Sequence, residues 1–215
     1  MTETTKPVTI AVPKGRILKV LIPLLERAGI DCDALKDDDR TLVRTAKDGS
    51  VRFLLLKPDD VPTYVEYGAA DIGISGRDTL LERGYDLYQP VDLGIGKCRM
   101  VVAAPCGTPI PELPRVATKY PVIARRHFAA KGIYPEIIYI QGSVELGPIV
   151  GLSDVIVDLV ETGSTLKMNN LEEVEVIEHI SSVVVANRAL FKLRRSALYP
   201  LMERLRQASA QNTPS

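Results

Sequence analysis

Little in this sequence is available for cross-links or metal cages. Its 215 residues hold three cysteines, Cys32, Cys98 and Cys106. An odd number without CxxC spacing excludes a disulfide framework and points to a reducing compartment. Two isolated histidines, His127 and His179, supply no ligand set for resident zinc or iron. Neither HExxH nor GxSxG occurs, so a zinc protease or serine hydrolase has nothing to stand on. Net charge is also missing: 27 Lys+Arg offset 27 Asp+Glu. A general binder of nucleic acid or anionic membrane would carry a basic excess. A small polyanion stays open, because local amides and a few cations can hold a phosphate. No apolar run approaches the roughly 20 residues that span a bilayer. The opening MTETTKPVTIAVPKG lacks the apolar core of a signal peptide. The expectation is a cytoplasmic protein without a membrane segment. What is present, 46% hydrophobic and 25% charged residues, suffices for one large domain or two smaller lobes.

Short β-rich runs alternate with amphipathic helical patterns, which predicts a largely parallel α/β sheet architecture. Val8 to Val12 reads as the first strand. Ile17, Leu18, Leu21, Leu24, Leu25 and Ala28 then recur at helical spacing up to a Gly29 stop, with a kink expected at Pro23. Val51 to Leu56 is a second strand. Asp59 and Asp60 look like cap residues, and Pro62 a first-turn proline, for a helix ending at Gly68. Strands are expected at Cys98–Ala104, Val116–Thr118, Glu136–Gln141, Val174–Ile177 and Val183–Ala186. Helices are expected over Val122–Lys131 and from about Asn187 to Gln207. Two segments resemble each other: Gly68-Ala-Ala-Asp-Ile-Gly-Ile74 before a polar turn at Ser75–Asp78, and Gly151-Leu-Ser-Asp-Val-Ile-Val157 before one at Glu161–Thr165. Either this is the commonplace helix–Gly–strand of α/β proteins, or two similar lobes face each other across a cleft.

Chemistry concentrates in Val155-Ile-Val-Asp-Leu-Val-Glu-Thr-Gly-Ser-Thr165. A Gly163-centred turn before a helix would aim several N–H groups at one point, with hydroxyls from Thr162, Ser164 and Thr165 beside them. Asp158 and Glu161 suit the hydroxyls of a sugar attached to that phosphate. The plain alternative is a helix N-cap at Thr162 or Ser164. In Val12-Pro-Lys-Gly-Arg-Ile17, Lys14 and Arg16 flank Gly15 where a helix dipole is positive, a place that disfavours cations unless an anion is expected. Solvated surface charges are the alternative there. Arg40, after Asp37-Asp38-Asp39, reads from composition alone as a rim arginine on an acidic turn.

The acidic strand end followed by Thr-Gly-x-Thr is similar to the phosphoribosyl pyrophosphate loop of phosphoribosyltransferases, with Val157 where many such enzymes have a further acid. Six blocks in order extend the likeness nearly end to end: Thr9–Arg16, Leu56–Glu66, Gly68–Gly76, Ala117–Tyr120, Gly142–Leu146 and Asp158–Thr165. The chain resembles the short form of the ATP phosphoribosyltransferase family, the first enzyme of histidine biosynthesis. That resemblance implies a two-lobed α/β fold like type II periplasmic binding proteins, with mostly parallel sheets and an intervening cleft. It implies a discontinuous first lobe, residues 1–95 plus 185–215, and a second lobe over 96–184. It implies that N1 of the ATP adenine joins C1′ of phosphoribosyl pyrophosphate, releasing pyrophosphate, with Mg²⁺ on the polyphosphate through ligands the sequence does not identify. Carried over, Glu161, Thr162, Gly163, Ser164 and Thr165 hold the 5′-phosphate, and Asp158 and Glu161 lie near the ribose hydroxyls. Lys14, Gly15, Arg16 and Glu145 would line the ATP and pyrophosphate side. Arg16, Arg40 and Glu161 are the expected catalytic residues, Arg40 on the leaving group. The expected partner is a regulatory subunit similar to histidyl-tRNA synthetase, bound to a homodimer within a hetero-oligomer. The chain's length matches forms without the extra regulatory domain of long relatives.

That reaction suits the inventory. Adenine N1 carries a free lone pair, so no activated nucleophile is needed, and catalysis reduces to positioning and charge stabilisation. The rival is a cytoplasmic small-ligand-binding or sensing module of the same fold, since fold alone does not fix function.

Overall fold

The computed structural model describes residues 6–37 and 39–211. In chain order the first elements are β1 (Val8–Pro13), α1 (Arg16–Arg27), β2 (Val43–Thr45), β3 (Val51–Leu56), α2 (Val61–Glu66), β4 (Ile72–Gly76), α3 (Arg77–Arg83) and β5 (Tyr88–Asp92). Next come β6 (Cys98–Pro105), β7 (Arg115–Thr118), α4 (Pro121–Ala129), β8 (Glu136–Tyr139), α5 (Leu146–Ile149), β9 (Val155–Val160), α6 (Ser164–Met168) and β10 (Leu171–Ile180). The chain ends with β11 (Ser182–Ala186), α7 (Arg188–Leu193) and α8 (Arg195–Ala210).

Two compact units result. Unit 1 comprises Met1–Leu80, Tyr85–Gly96 and Ser181–Ser215; unit 2 comprises Leu81–Gly84 and Lys97–Ile180. These limits differ from the expected 95/96 and 184/185 because β11 pairs along its whole length with β4, so the crossing precedes it. The short piece Leu81–Gly84 goes with unit 2 because Leu81 packs on that core and Glu82 accepts the N–H groups of Val122 and Ile123 at 3.0 Å.

Unit 1 holds a sheet of order β2-β3-β1-β4-β11-β5 and unit 2 one of order β10-β6-β9-β7-β8. In unit 1, β3, β1 and β4 are parallel, while β2, β11 and β5 run antiparallel to their neighbours. In unit 2, β8, β7 and β9 are parallel, with β6 and β10 antiparallel. Each sheet is therefore mixed, parallel only in its βαβ core, and the expectation of mostly parallel sheets is corrected to that extent. A strand entering from the other unit arrives from the opposite end, and it pairs antiparallel. The order β3-β1-β4-β11-β5 matches β8-β7-β9-β6-β10 strand for strand in direction, so the two units share one topology.

The sequence repeat has a physical role in that topology. In unit 1, Asp71 at the start of β4 accepts the Thr9 N–H at 2.7 Å, while its own N–H donates to the Thr9 carbonyl at 2.9 Å. In unit 2, Asp154 before β9 does the same with Arg115, at 2.8 Å and 2.9 Å. Each aspartate clips one parallel strand to the next, and each is paired with an arginine: Arg194 on Asp71, and Arg115 on Asp154.

Cores follow the periodicities. Helix α1 buries Leu21, Leu24 and Leu25, continues through Pro23, and packs with Leu198, Leu201, Met202 and Leu205 of α8. Burying each such side chain contributes roughly 1.5–3 kcal/mol, which brings the C-terminal helix back to the first strands. The expected single terminal helix is two, broken at Arg194, whose guanidinium reaches Asp71 and the Pro7 carbonyl. Ser75–Asp78, expected as a turn, instead ends β4 and starts α3 directly. Asp60 sits at the N-cap of α2 but makes no capping bond. Strand β2 and strand β5, both with mostly exposed residues, were not visible in the pattern. Among the described residues no helix is long and apolar enough to cross a membrane.

Candidate active site

In unit 1 the carboxyl ends of the strands collect the expected cations. Pro13 of β1 lies beside Leu56 of β3, and the Lys14 N–H donates to the Leu56 carbonyl at 2.8 Å. Lys14, Gly15 and Arg16 are exposed there. Because β2 runs antiparallel and the Leu55 N–H donates to the Leu42 carbonyl, the segment bearing Arg40 ends at this same edge. Open α/β sheets place ligands at such edges. Gly15 has φ 88° and ψ −142°, a conformation essentially reserved for glycine, and a Cβ there would meet nothing within 4 Å. The glycine thus answers to backbone shape, and the space beside it is open.

In unit 2 the corresponding edge gathers Lys119 after β7, Gly142–Glu145 after β8 and Glu161–Thr165 after β9. Gly163 is left-handed, φ 77°, and forms the N-cap of α6. Gly163 has no side chain to cap that helix, and Thr162 does so weakly: its hydroxyl accepts the Ser164 N–H at 3.4 Å and contacts the Ser164 hydroxyl at 3.0 Å, so the plain N-cap alternative describes Thr162 in part. Helix α6 has five residues, which makes the loop amides and hydroxyls, more than a macrodipole, the source of positive potential. Ser143 adopts φ 46°, a strained value for a side-chain-bearing residue, in the turn that presents Glu145.

The helix starts differ in how they are closed. Helix α7 is capped by Asn187, whose side chain accepts from Ala189 and Leu190, and α4 is capped from outside by Glu82. Helices α2, α5 and α8 begin without a side-chain cap or a first-turn acid, and what sets α1 and α6 apart is glycine at the N-cap. These are the two helices that follow the proposed ligand loops.

Electrostatics single out Asp158. Burial pushes its carboxyl up to about 6, against a hydrogen bond from the Leu159 N–H, with the Glu145 carboxylate raising it further and Lys119 lowering it. A carboxyl destabilised in its charged form at a ligand edge is a signature of function. Asp158, Glu145 and Lys119 are thus electrostatic neighbours. Lys119 belonged to a recognised block without an assigned role; its position, a cation between a parallel strand and a helix, repeats that of Lys14. The turn bearing it is shaped by the buried Thr118 hydroxyl, which donates to the Val157 carbonyl at 2.6 Å and accepts the Tyr120 N–H at 2.8 Å.

Two supporting arginines escaped the sequence pattern. Arg99, inside an apolar strand, pairs with Glu173 at 2.7 Å and donates to the Glu161 carbonyl at 3.3 Å, tethering the start of the Glu161–Thr165 loop. Arg44 gathers the segment around Arg40. Long-range pairing reveals Arg99, and a non-periodic local loop reveals Arg44. His127 pairs with Glu175 at 3.1 Å, beside Lys131, and takes no part in these edges. Burial pushes the Cys32 thiol up to about 12, leaving it inert. Among the described residues no group of three or more His, Cys, Asp or Glu is placed to hold a metal.

A family model described as HisG, ATP phosphoribosyltransferase, matches residues 57–207. An ATP phosphoribosyltransferase from Sorangium cellulosum (strain So ce56) is 65% identical over 206 residues, 96% of this chain and 98% of that protein. The chain belongs to the HisG ATP phosphoribosyltransferase family. It is an enzyme, a transferase of the pentosyl type, at the first step of histidine biosynthesis. Another relative of that name, from Janthinobacterium sp. (strain Marseille), is 48% identical over 99% of this chain and all of its own length. Among solved structures, the ATP phosphoribosyl transferase (HisG:HisZ) complex from Thermotoga maritima matches with a TM-score of 0.82 and 39% identity, over 95% of this chain and 99% of that one. The alkanesulfonate-binding protein SsuA from Xanthomonas axonopodis pv. citri matches at TM-score 0.57 and 14% identity, over 94% of this chain and 73% of that one. That second likeness is one of fold, and it places this HisG chain in the two-lobed α/β class of the binding proteins.

Proposed function

We propose that the two strand edges divide the work of this transfer between them. In unit 2, the Glu161–Thr165 loop holds the ribose 5′-phosphate through amides and hydroxyls. Asp158 and Glu161 accept hydrogen bonds from the ribose hydroxyls. In unit 1, Lys14, Gly15 and Arg16 face the triphosphate and pyrophosphate, and Arg40 meets the charge that develops as pyrophosphate leaves C1′. Glu145 faces the ATP side. What supports this reading above all is the left-handed, Gly163-centred turn with its hydroxyls beside the raised Asp158 carboxyl. Catalysis then consists of holding N1 in line with C1′ and stabilising the departing charge.

Mg²⁺ enters with the polyphosphate substrates. The carboxylates of Asp158 and Glu161 offer the hard oxygen donors it accepts, one or two at a time, alongside phosphate oxygens. A HisZ-type regulatory subunit similar to histidyl-tRNA synthetase joins a homodimer of this chain, and the complex works in the cytoplasm.

The test incubates the purified protein with ATP, phosphoribosyl pyrophosphate and Mg²⁺, with and without a HisZ-type partner, and seeks phosphoribosyl-ATP by mass spectrometry. Product in either arm supports the reading. No product in both arms, with both substrates still bound, would favour a binding module.

A further inference from the structure

Arg44 is a buried charged residue that the reading above leaves without a task. It is the middle residue of β2, its side chain is only 6% exposed, and its two strand neighbours are exposed. A guanidinium carries five N–H bonds, and here each one has an acceptor. Nε donates to the Thr41 carbonyl at 3.3 Å. Nη1 donates to the carbonyls of Ala34 at 2.7 Å and Asp37 at 2.8 Å. Nη2 donates to the Asp39 carbonyl at 3.2 Å and to Asp39 Oδ1 at 2.7 Å. Four backbone carbonyls converging on one point repel one another unless a cation sits between them. The segment is therefore wrapped around Arg44. Arg40 lies between two of its anchors, Asp39 and Thr41, which are also joined by the Thr41 N–H donating to Asp39 Oδ1 at 2.8 Å.

We propose that Arg44 is a positioning residue for Arg40, fixing the backbone on both sides of it so that the Arg40 guanidinium is presented in one direction. This rests on the leaving-group role given to Arg40 above. An exposed arginine on an untethered turn would lose much of its effect to conformational freedom, whereas a fixed root leaves only the side-chain rotamers to order. Lysine cannot substitute: three donors on a point charge do not reach four separate carbonyls.

A double-mutant cycle tests this, using the full chain with its HisZ-type partner and steady-state kinetics on Arg44→Lys, Arg40→Ala and the double variant. Arg44→Lys is expected to lower kcat roughly tenfold, the scale of a misaligned electrostatic donor, with KM for both substrates moving less than about threefold. In the Arg40→Ala background the same change should cost less than about twofold. Hydrogen exchange at Asp39, Arg40 and Thr41 should quicken in Arg44→Lys, with the unfolding transition of the rest retained. Equal losses in both backgrounds would overturn the proposal, since Arg44 would then act through the fold at large. So would an unchanged kcat in Arg44→Lys beside a large loss in Arg40→Ala. A wild-type kcat in Arg40→Ala would instead remove the leaving-group role of Arg40, and the positioning role with it. Should Arg44→Lys fail to fold, Asp39→Ala removes one acceptor and the Thr41 contact, and the same non-additivity decides.

Discussion

At the residue scale, Asp158 shows how a site can be destabilised in its own fold. Its carboxyl is raised from 3.8 to about 6 by burial, so between those values the folded chain holds a proton that the unfolded chain has released. Stability of the ligand-free protein therefore falls as pH rises through that window. At neutral pH the cost is roughly 2–3 kcal/mol, about 1.4 kcal/mol for each pKa unit. Asp158→Asn is expected to unfold at higher urea than wild type at pH 7, with the gap closing toward pH 4, while KM for phosphoribosyl pyrophosphate rises at least tenfold. Equal urea midpoints at both pH values would show that the carboxyl is not strained. Arg40 carries the complementary expectation: Arg40→Ala should lower kcat roughly a hundredfold, the size of losing one electrostatic donor. The motif around Asp158 was legible in sequence because a strand, its acids and Thr-Gly-x-Thr are contiguous. The companions of Asp158 were not, since Lys119 and Glu145 come from other strand ends and meet it only through sheet pairing.

Elements carry the clips and the turns. The Asp71 carboxylate, nearly buried, joins β1, β4 and the break between α7 and α8 through Thr9 and Arg194. Removing it leaves the Arg194 guanidinium, also largely buried, without its partner. Asp71→Ala is expected to cost roughly 3–5 kcal/mol in denaturant unfolding, whereas Asp86→Ala, at an exposed pair with Arg188, should cost under about 1 kcal/mol. Comparable losses for the two would mean that the clip is incidental. Gly15→Ala tests the first ligand loop: the strain belongs to φ 88°, and a methyl there meets no neighbour. The expected result is a loss of roughly 1–2 kcal/mol in stability and a raised KM for ATP. A variant with unchanged KM would detach that turn from the nucleotide. The Gly–Asp repeat could be seen in sequence as recurrence. What folding adds is its job within each unit, the exchange of hydrogen bonds between Asp71 and Thr9 and, likewise, between Asp154 and Arg115.

For the whole molecule, two units with one strand order place all proposed ligand residues at the carboxyl ends of parallel strands. The chain also spans 98–100% of the curated relatives named above and 99% of the Thermotoga HisG:HisZ chain it matches. With the HisZ-type partner proposed above, regulation is expected to lie with that partner. Histidine should inhibit the purified chain weakly and the complex with a HisZ-type subunit strongly, measured as product formation across a histidine titration. Full inhibition of the chain alone would contradict this.

Residue order was enough to define the α/β alternation, the left-handed turn at Gly163 and the family, because those properties are written in contiguous runs of a few to a dozen residues. Zero net charge was likewise readable, though not its arrangement, in which cations and amides concentrate at strand ends. Folding settled everything that depends on partners distant along the chain. The antiparallel pairing of β11 on β4 and of β6 on β9 joins strands far apart along the chain. The break at Arg194 follows from an aspartate 123 residues away. The role of Arg99 follows from Glu173 and the Glu161 carbonyl, 74 and 62 residues away, whereas Arg44 is held by nearby carbonyls of a loop that carries no periodic signal. Local sequence encodes dihedral preference and hydrophobic period. It cannot encode which buried charge will face which carbonyl, because that is set by register across a sheet.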